Sequence, residues 1–144
     1  MFEIENLYQD LIIDHSRSPR NFGKLLTANL EHEGYNPLCG DKVIIYLQQA
    51  EGKILEIKFE GCGCAISMAS ASLMTEILKG KNKQELVNLF ALFHQLVTTG
   101  QTDNPDSMQK LIALAGVSEF PMRVKCATLA WHTALAAFNK INNP

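Results

Sequence analysis

Lys42-Val43-Ile44-Ile45-Tyr46-Leu47-Gln48, then Ala50-Glu51-Gly52-Lys53, then Ile54-Leu55-Glu56-Ile57-Lys58-Phe59-Glu60: the architecture follows from these residues. In the first run Val43, Ile45 and Leu47 fall on one face of an extended chain. In the second, Leu55, Ile57 and Phe59 do the same, which is the period of two expected of half-buried strands. The short link between them contains a glycine and predicts an antiparallel hairpin. In such a hairpin the start of one strand lies beside the end of the other. Cys39 stands just before the first run, and Cys62 and Cys64 just after the second. The three thiols are therefore expected to be neighbours in space, although more than twenty residues separate the first from the others.

Outward from the hairpin the period changes. Ala65 to Leu78 is rich in helix formers and small residues and ends at Lys79-Gly80, so a closely packed helix is expected there. Lys83 to Val97 predicts a further helix, Thr98 to Asp106 a polar surface connection, and Ser107 to Ala115 a short helix. The last helix is expected to open at Pro121, a residue suited to a first turn, and to run through Cys126, Leu129, Trp131 and Leu135 to about Ile141. Towards the amino terminus, Leu7, Tyr8, Leu11 and Ile12 recur at spacings of three and four and predict an amphipathic helix from Ile4 to His15. Leu30 to Tyr35 reads as a short strand.

The 144 residues, 47% of them hydrophobic, fit one globular domain with one core spanning residues 1–144. A net charge of −2 is too balanced to supply the attraction on which nucleic-acid binding depends. No apolar stretch approaches the roughly 20 residues that cross a bilayer, and the acidic amino terminus lacks the marks of a secretory signal. A soluble, cytoplasmic protein is the expectation. There the four cysteines stay reduced, so metal binding or thiol chemistry is their expected use.

Gly40, between Cys39 and Asp41, and Gly61 and Gly63, around Cys62, permit the tight backbone that turns several side chains toward one point. Three thiolates and one carboxylate suit Zn²⁺, which takes sulfur at about 2.3 Å in a tetrahedral shell, and soft sulfur ligands also hold iron–sulfur clusters. Spacing alone does not bring Cys126 to this point. That requires the early turns of the last helix to pack over the same end of the sheet. Lys42, Arg123 and Lys125 stand in sequence where they can offset the negative charge of such a site. A thiolate at Cys64 gains further from the amino end of the helix it precedes.

His15, His32 and His94 have no partner at a metal-ligand spacing, and His132 lies six residues beyond Cys126, about 240° around a helix. Ser67, Ser70 and Ser72 come without a nucleophile elbow, and the histidine patterns of zinc hydrolases and deaminases are absent. A purely structural zinc in an interaction module is the reading that competes with a reactive site.

The blocks Leu7-Tyr8 through Asp14-His15, Pro19-Arg20-Asn21-Phe22-Gly23, Asn36-Pro37-Leu38-Cys39-Gly40-Asp41, Phe59 to Ser67, and Phe120 to Trp131 together resemble the U-type iron–sulfur assembly proteins, over nearly the whole chain. Lys125 stands where IscU-type scaffolds carry a histidine ligand, and the polar segment from Thr98 to Ala115 resembles the extra stretch of the SufU branch. The resemblance implies an α+β fold of the SufE/NifU-like kind, a small antiparallel sheet of about three strands covered on one side by helices. It also implies a zinc-dependent sulfurtransferase in which Cys39, Asp41, Cys64 and Cys126 hold the metal. Cys39 is then the persulfide acceptor for a SufS-type cysteine desulfurase and passes sulfur to downstream iron–sulfur assembly or acceptor proteins. The alternative within the same biology is a scaffold that builds and transfers an Fe–S cluster, or holds iron, on these cysteines. Cys64 matches the SufU ligand and Cys62 the IscU one. Cys62 is thus left as a spare thiol, an alternate ligand or a second sulfur relay.

Overall fold

In the computed structural model, which describes residues 2–142 and the side chains of residues 9–141, a three-stranded antiparallel sheet has the order β1-β2-β3. The strands are β1 (Leu30–Asn36), β2 (Asp41–Ala50) and β3 (Lys53–Cys62). The expected hairpin is present, with both strands longer than their apolar cores. The connection shrinks to Glu51 and Gly52, both at positive φ (53° and 77°), a mirror-image turn whose twist matches that of the strands it joins.

One sequence reading is corrected. A register shift between Gln48 and Gln49 pairs Gln48 with Glu56 but Gln49 with Ile54. Leu55 falls at this irregularity and is exposed, while Ile54 takes its place in the core and the alternation resumes at Ile57 and Phe59.

Of the five α-helices, four follow the sequence expectations closely. α1 (Phe2–Arg17) contains the expected amino-terminal helix; the side chains of Leu7 and Tyr8 lie outside the described ones. α2 (Ala65–Leu78) is capped by Cys64. α3 (Lys83–Thr99) opens with a reciprocal capping box between Asn82 and Glu85 and stops at Gly100 in the left-handed region. The expected helix from Ser107 to Ala115 is instead one α turn, α4 (Pro105–Met108), followed by a 3-10 segment from Gln109 to Glu119. α5 (Pro121–Phe138) has the expected proline in its first turn.

Val43, Ile45, Leu47, Ile57 and Phe59 point from the sheet into the core, where α2 and α5 cover them; α1 packs on the outside of α2. Trp131 of α5 is fully buried and stacks on Phe93 of α3, ring centroids 4.9 Å apart. Gly34 of β1 makes room for α5, since a Cβ there would stand 2.0 Å from Thr133 Oγ1. This close approach seats the first turns of α5 against the end of the sheet that carries the β1–β2 turn. No helix among the described residues is long and apolar enough to cross a membrane.

Candidate metal centre

The site is assembled from four separate backbone environments. Cys39 lies in the four-residue turn between Asn36 and Asp41, which are paired with each other across β1 and β2. Asp41, the first residue of β2, is completely buried. Cys64 is the N-cap of α2, where its Sγ accepts a hydrogen bond from the Ser67 amide at 3.5 Å. Cys126 is buried on α5, one turn beyond Arg123.

These residues meet. Cys126 Sγ is 3.2 Å from Cys39 Sγ, and ligand atoms of Cys39, Asp41 and Cys126 all lie within 4.8 Å of one another. Cys64 joins from the other side of the carboxylate: its Sγ is 4.0 Å from Asp41 Oδ2, and its backbone N–H donates to Asp41 Oδ1 at 2.8 Å. Gly63, at φ 151°, makes that last bond possible. A Cβ there would stand 2.3 Å from Asp41 Oδ1.

The three glycine-flanked thiols do not share one fate. Cys62 closes β3 directly opposite Lys42, and both are exposed, whereas the neighbouring Asp41 and Val43 are buried. By strand alternation its side chain leaves the sheet on the face opposite Asp41. It stands outside the group formed by Cys39, Asp41 and Cys126.

Burial pushes the Cys126 thiol well above the ordinary range, and hydrogen bonding with Asp41, Cys39 and Cys64 adds to the shift. A thiol so placed needs a strong compensating positive charge before it ionises. Of the three cations expected to supply charge here, Lys42 is drawn to Glu33 at 2.9 Å, on the outer face. Arg123 is exposed on the first turn of α5, and the charge on Cys64 first, with a contribution from Cys126, favours its guanidinium in the charged form.

Asn36 belongs to the site although the sequence reading assigns it no role. It is buried, and its Nδ2 donates to Asp41 Oδ2 at 3.4 Å and to Cys126 Sγ at 3.7 Å, while its Oδ1 accepts from the Leu38 amide at 3.3 Å. An asparagine that ends a strand just before Pro37 was the available signal: its short amide reaches both its own turn and the neighbouring strand. Two of the four histidines are engaged elsewhere. His15 is buried, with Nδ1 2.7 Å from Ser72 Oγ, and His132 packs edge-on against Phe90.

The donor set fits a metal ion. Three thiols and a carboxylate converge, and a thiol–thiol contact of 3.2 Å between the buried Cys126 and the half-buried Cys39 has no purpose in an ordinary apolar core. Around the site four large apolar side chains are exposed: Tyr35 and Leu38 at the β1–β2 turn, and Phe120 and Met122 at the start of α5.

A family profile described as the NifU-like N terminal domain matches residues 7–127. The chain is 40% identical over 129 residues to the zinc-dependent sulfurtransferase SufU of Bacillus subtilis, covering 89% of this chain and 86% of that protein. It is 36% identical over 138 residues to the iron–sulfur cluster assembly scaffold protein IscU of Thermotoga maritima, covering 96% of each. A crystal structure described as a putative iron–sulfur cluster assembly scaffold protein for the SUF system, from Fervidobacterium islandicum, superimposes with a TM-score of 0.83 at 36% identity, over 90% of this chain and 94% of that one.

Proposed function

Because the chain belongs to the NifU-like N-terminal domain family of iron–sulfur cluster assembly proteins, we propose that it is a zinc-dependent sulfurtransferase whose Cys39 accepts sulfane sulfur from a SufS-type cysteine desulfurase. Residues 1–144 form one functional unit. Cys39, Asp41, Cys64 and Cys126 would hold the zinc, and Cys62 lies outside this set. When bound, zinc supplies a Lewis-acid centre that keeps its sulfur ligands deprotonated.

The observation that carries this reading is the placement of Cys39. It shares the cluster with buried Asp41 and Cys126, yet it stands on a partly exposed turn rather than within a helix or strand. A closed structural site would bury all its ligands, so the competing structural-zinc reading is disfavoured. The transfer step needs no further reactant. The Cys39 sulfur attacks the outer sulfur of the desulfurase persulfide, and the bond from that sulfur to the enzyme's cysteine breaks. The enzyme's cysteine leaves as a thiolate, and the transferred sulfur, with its proton, ends on Cys39. Thiols used in this way suit the reducing cytoplasm.

Tyr35, Leu38, Phe120 and Met122 give the desulfurase an apolar surface around the reacting sulfur. Downstream iron–sulfur assembly or acceptor proteins would take the sulfur from the same face. Scaffolding of an Fe–S cluster is the second reading, favoured by the likeness to IscU and by three sulfurs within one site. Lys125, in place of a histidine ligand, favours transfer. Metal content per chain together with desulfurase turnover decides between them. One zinc per chain, with stimulation abolished in Cys39→Ala, supports transfer. A stable cluster that moves intact to an acceptor, with no effect on desulfurase turnover, rejects it.

A further inference from the structure

The turn that carries Cys39 is tied to the buried half of the site through one side chain. Asn36 ends β1, lies directly opposite Asp41 in the strand register and is 5% exposed. Pro37 restrains it to extended backbone. The orientation of its carboxamide follows from its partners. The Leu38 N–H, one residue before Cys39, can only donate, and it lies 3.3 Å from Oδ1. That puts the oxygen in the turn and turns the NH2 group toward two acceptors, Asp41 Oδ2 at 3.4 Å and Cys126 Sγ at 3.7 Å. The other oxygen of Asp41, Oδ1, accepts from the Cys64 backbone N–H at 2.8 Å. The carboxylate is therefore held at both oxygens, by donors from the end of β1 and the start of α2.

We propose that Asn36 is the positioning residue of the metal centre: its oxygen sets the turn that presents Cys39, and its NH2 group fixes Asp41 and Cys126 in the places from which they ligate. One carboxamide thus links three of the four proposed ligands and is itself none of them. This rests on the metal-site reading above. A buried amide is suited to the task because it offers an acceptor and a two-hydrogen donor a fixed distance apart, with no charge of its own to compete with the ligands. Groups that hydrogen-bond to metal ligands typically govern metal affinity by about 10–100-fold.

The test separates the two halves of the carboxamide. Asn36→Ser keeps an oxygen that can accept from the Leu38 N–H but presents no donor where Nδ2 stands, and Asn36→Ala loses both. Zinc affinity is measured by competition with a chromogenic chelator. The visible absorption of the cobalt-substituted protein reports the arrangement of its sulfur and oxygen ligands. In Asn36→Ser zinc is expected to bind about 10–100-fold more weakly than in the unsubstituted chain, with an altered cobalt spectrum, and Asn36→Ala to bind more weakly still. Urea unfolding of the metal-free variants reads the fold, and Asn36→Ser, the milder change, carries the test should Asn36→Ala not fold. Unsubstituted zinc affinity or an unsubstituted cobalt spectrum in Asn36→Ser overturns the proposal and leaves Asn36 a turn residue only. If the unsubstituted chain itself binds neither zinc nor cobalt, the metal-site reading fails instead.

Discussion

Cys126 Sγ lies 3.2 Å from Cys39 Sγ although 87 residues separate them in the chain. One sits in a hairpin turn and the other on the last long helix, so the contact exists only in the folded protein. That makes metal binding and folding two aspects of one equilibrium.

Zinc removal is therefore expected to lower thermal stability. At a free zinc concentration a thousandfold above the dissociation constant, bound metal adds about 4 kcal/mol, which corresponds to roughly 10 °C in the unfolding midpoint of a chain this size. Calorimetric scans with and without a strong chelator measure the difference. Identical midpoints would mean that the four residues do not bind the ion in the native state.

Substitution of Gly63 by alanine reaches the site without touching a ligand. The new Cβ would collide with Asp41 Oδ1 at a backbone angle that side chains rarely adopt, at a cost of about 1–3 kcal/mol. Urea unfolding of the metal-free protein reads the strain, and zinc titration reads the displaced carboxylate as weaker binding. Wild-type values for both would show that the Gly63 backbone can move aside freely.

The apolar rim is separable from the metal. Leu38→Glu and Met122→Glu replace exposed side chains, so zinc content and folding are expected to stay as they are. Affinity for the desulfurase is expected to fall tenfold or more, the usual scale for a central apolar contact. Titration calorimetry against the enzyme measures it, and unchanged affinity in both variants would place the docking surface elsewhere.

His15 sets a pH dependence of the metal-free fold. Burial first, and the charge of Arg20 second, push its ring below the ordinary 6.5, while Glu76 and Asp14 oppose them. The unfolded chain therefore binds the proton more readily. The stabilising contribution is complete above pH 6.5 and is lost as pH falls through the lowered value. His15→Gln, which keeps a polar group beside Ser72, is expected to flatten this acid-side slope in chelator-treated protein. An unaltered slope would assign it to other groups.

Much of the fold was legible because local chemistry and tertiary packing agree. The alternation of Val43, Ile45 and Leu47, the Glu51-Gly52 turn, Pro121 in a first turn and Gly80 just past a helix end all appear where their side chains or φ preferences require. Leu55 was misread because a register shift is a property of two paired strands, and neither strand's own pattern contains it. The segment after Ser107 was misread because α and 3-10 turns share nearly the same apolar spacing over so short a run.

By itself the sequence determined that Cys39, Cys62 and Cys64 would gather at one end of a hairpin, since antiparallel pairing fixes which residues are neighbours. The tertiary structure alone decided the rest of the site. Packing of α5 across β1 delivered Cys126, and the parity of β3 turned Cys62 to the opposite face. The approach of Asp41 to Gly63 and the reach of Asn36 to the Cys126 sulfur were settled in the same way. Each of these depends on distances between elements far apart in the chain, and such distances are set by how side chains fill the core between them.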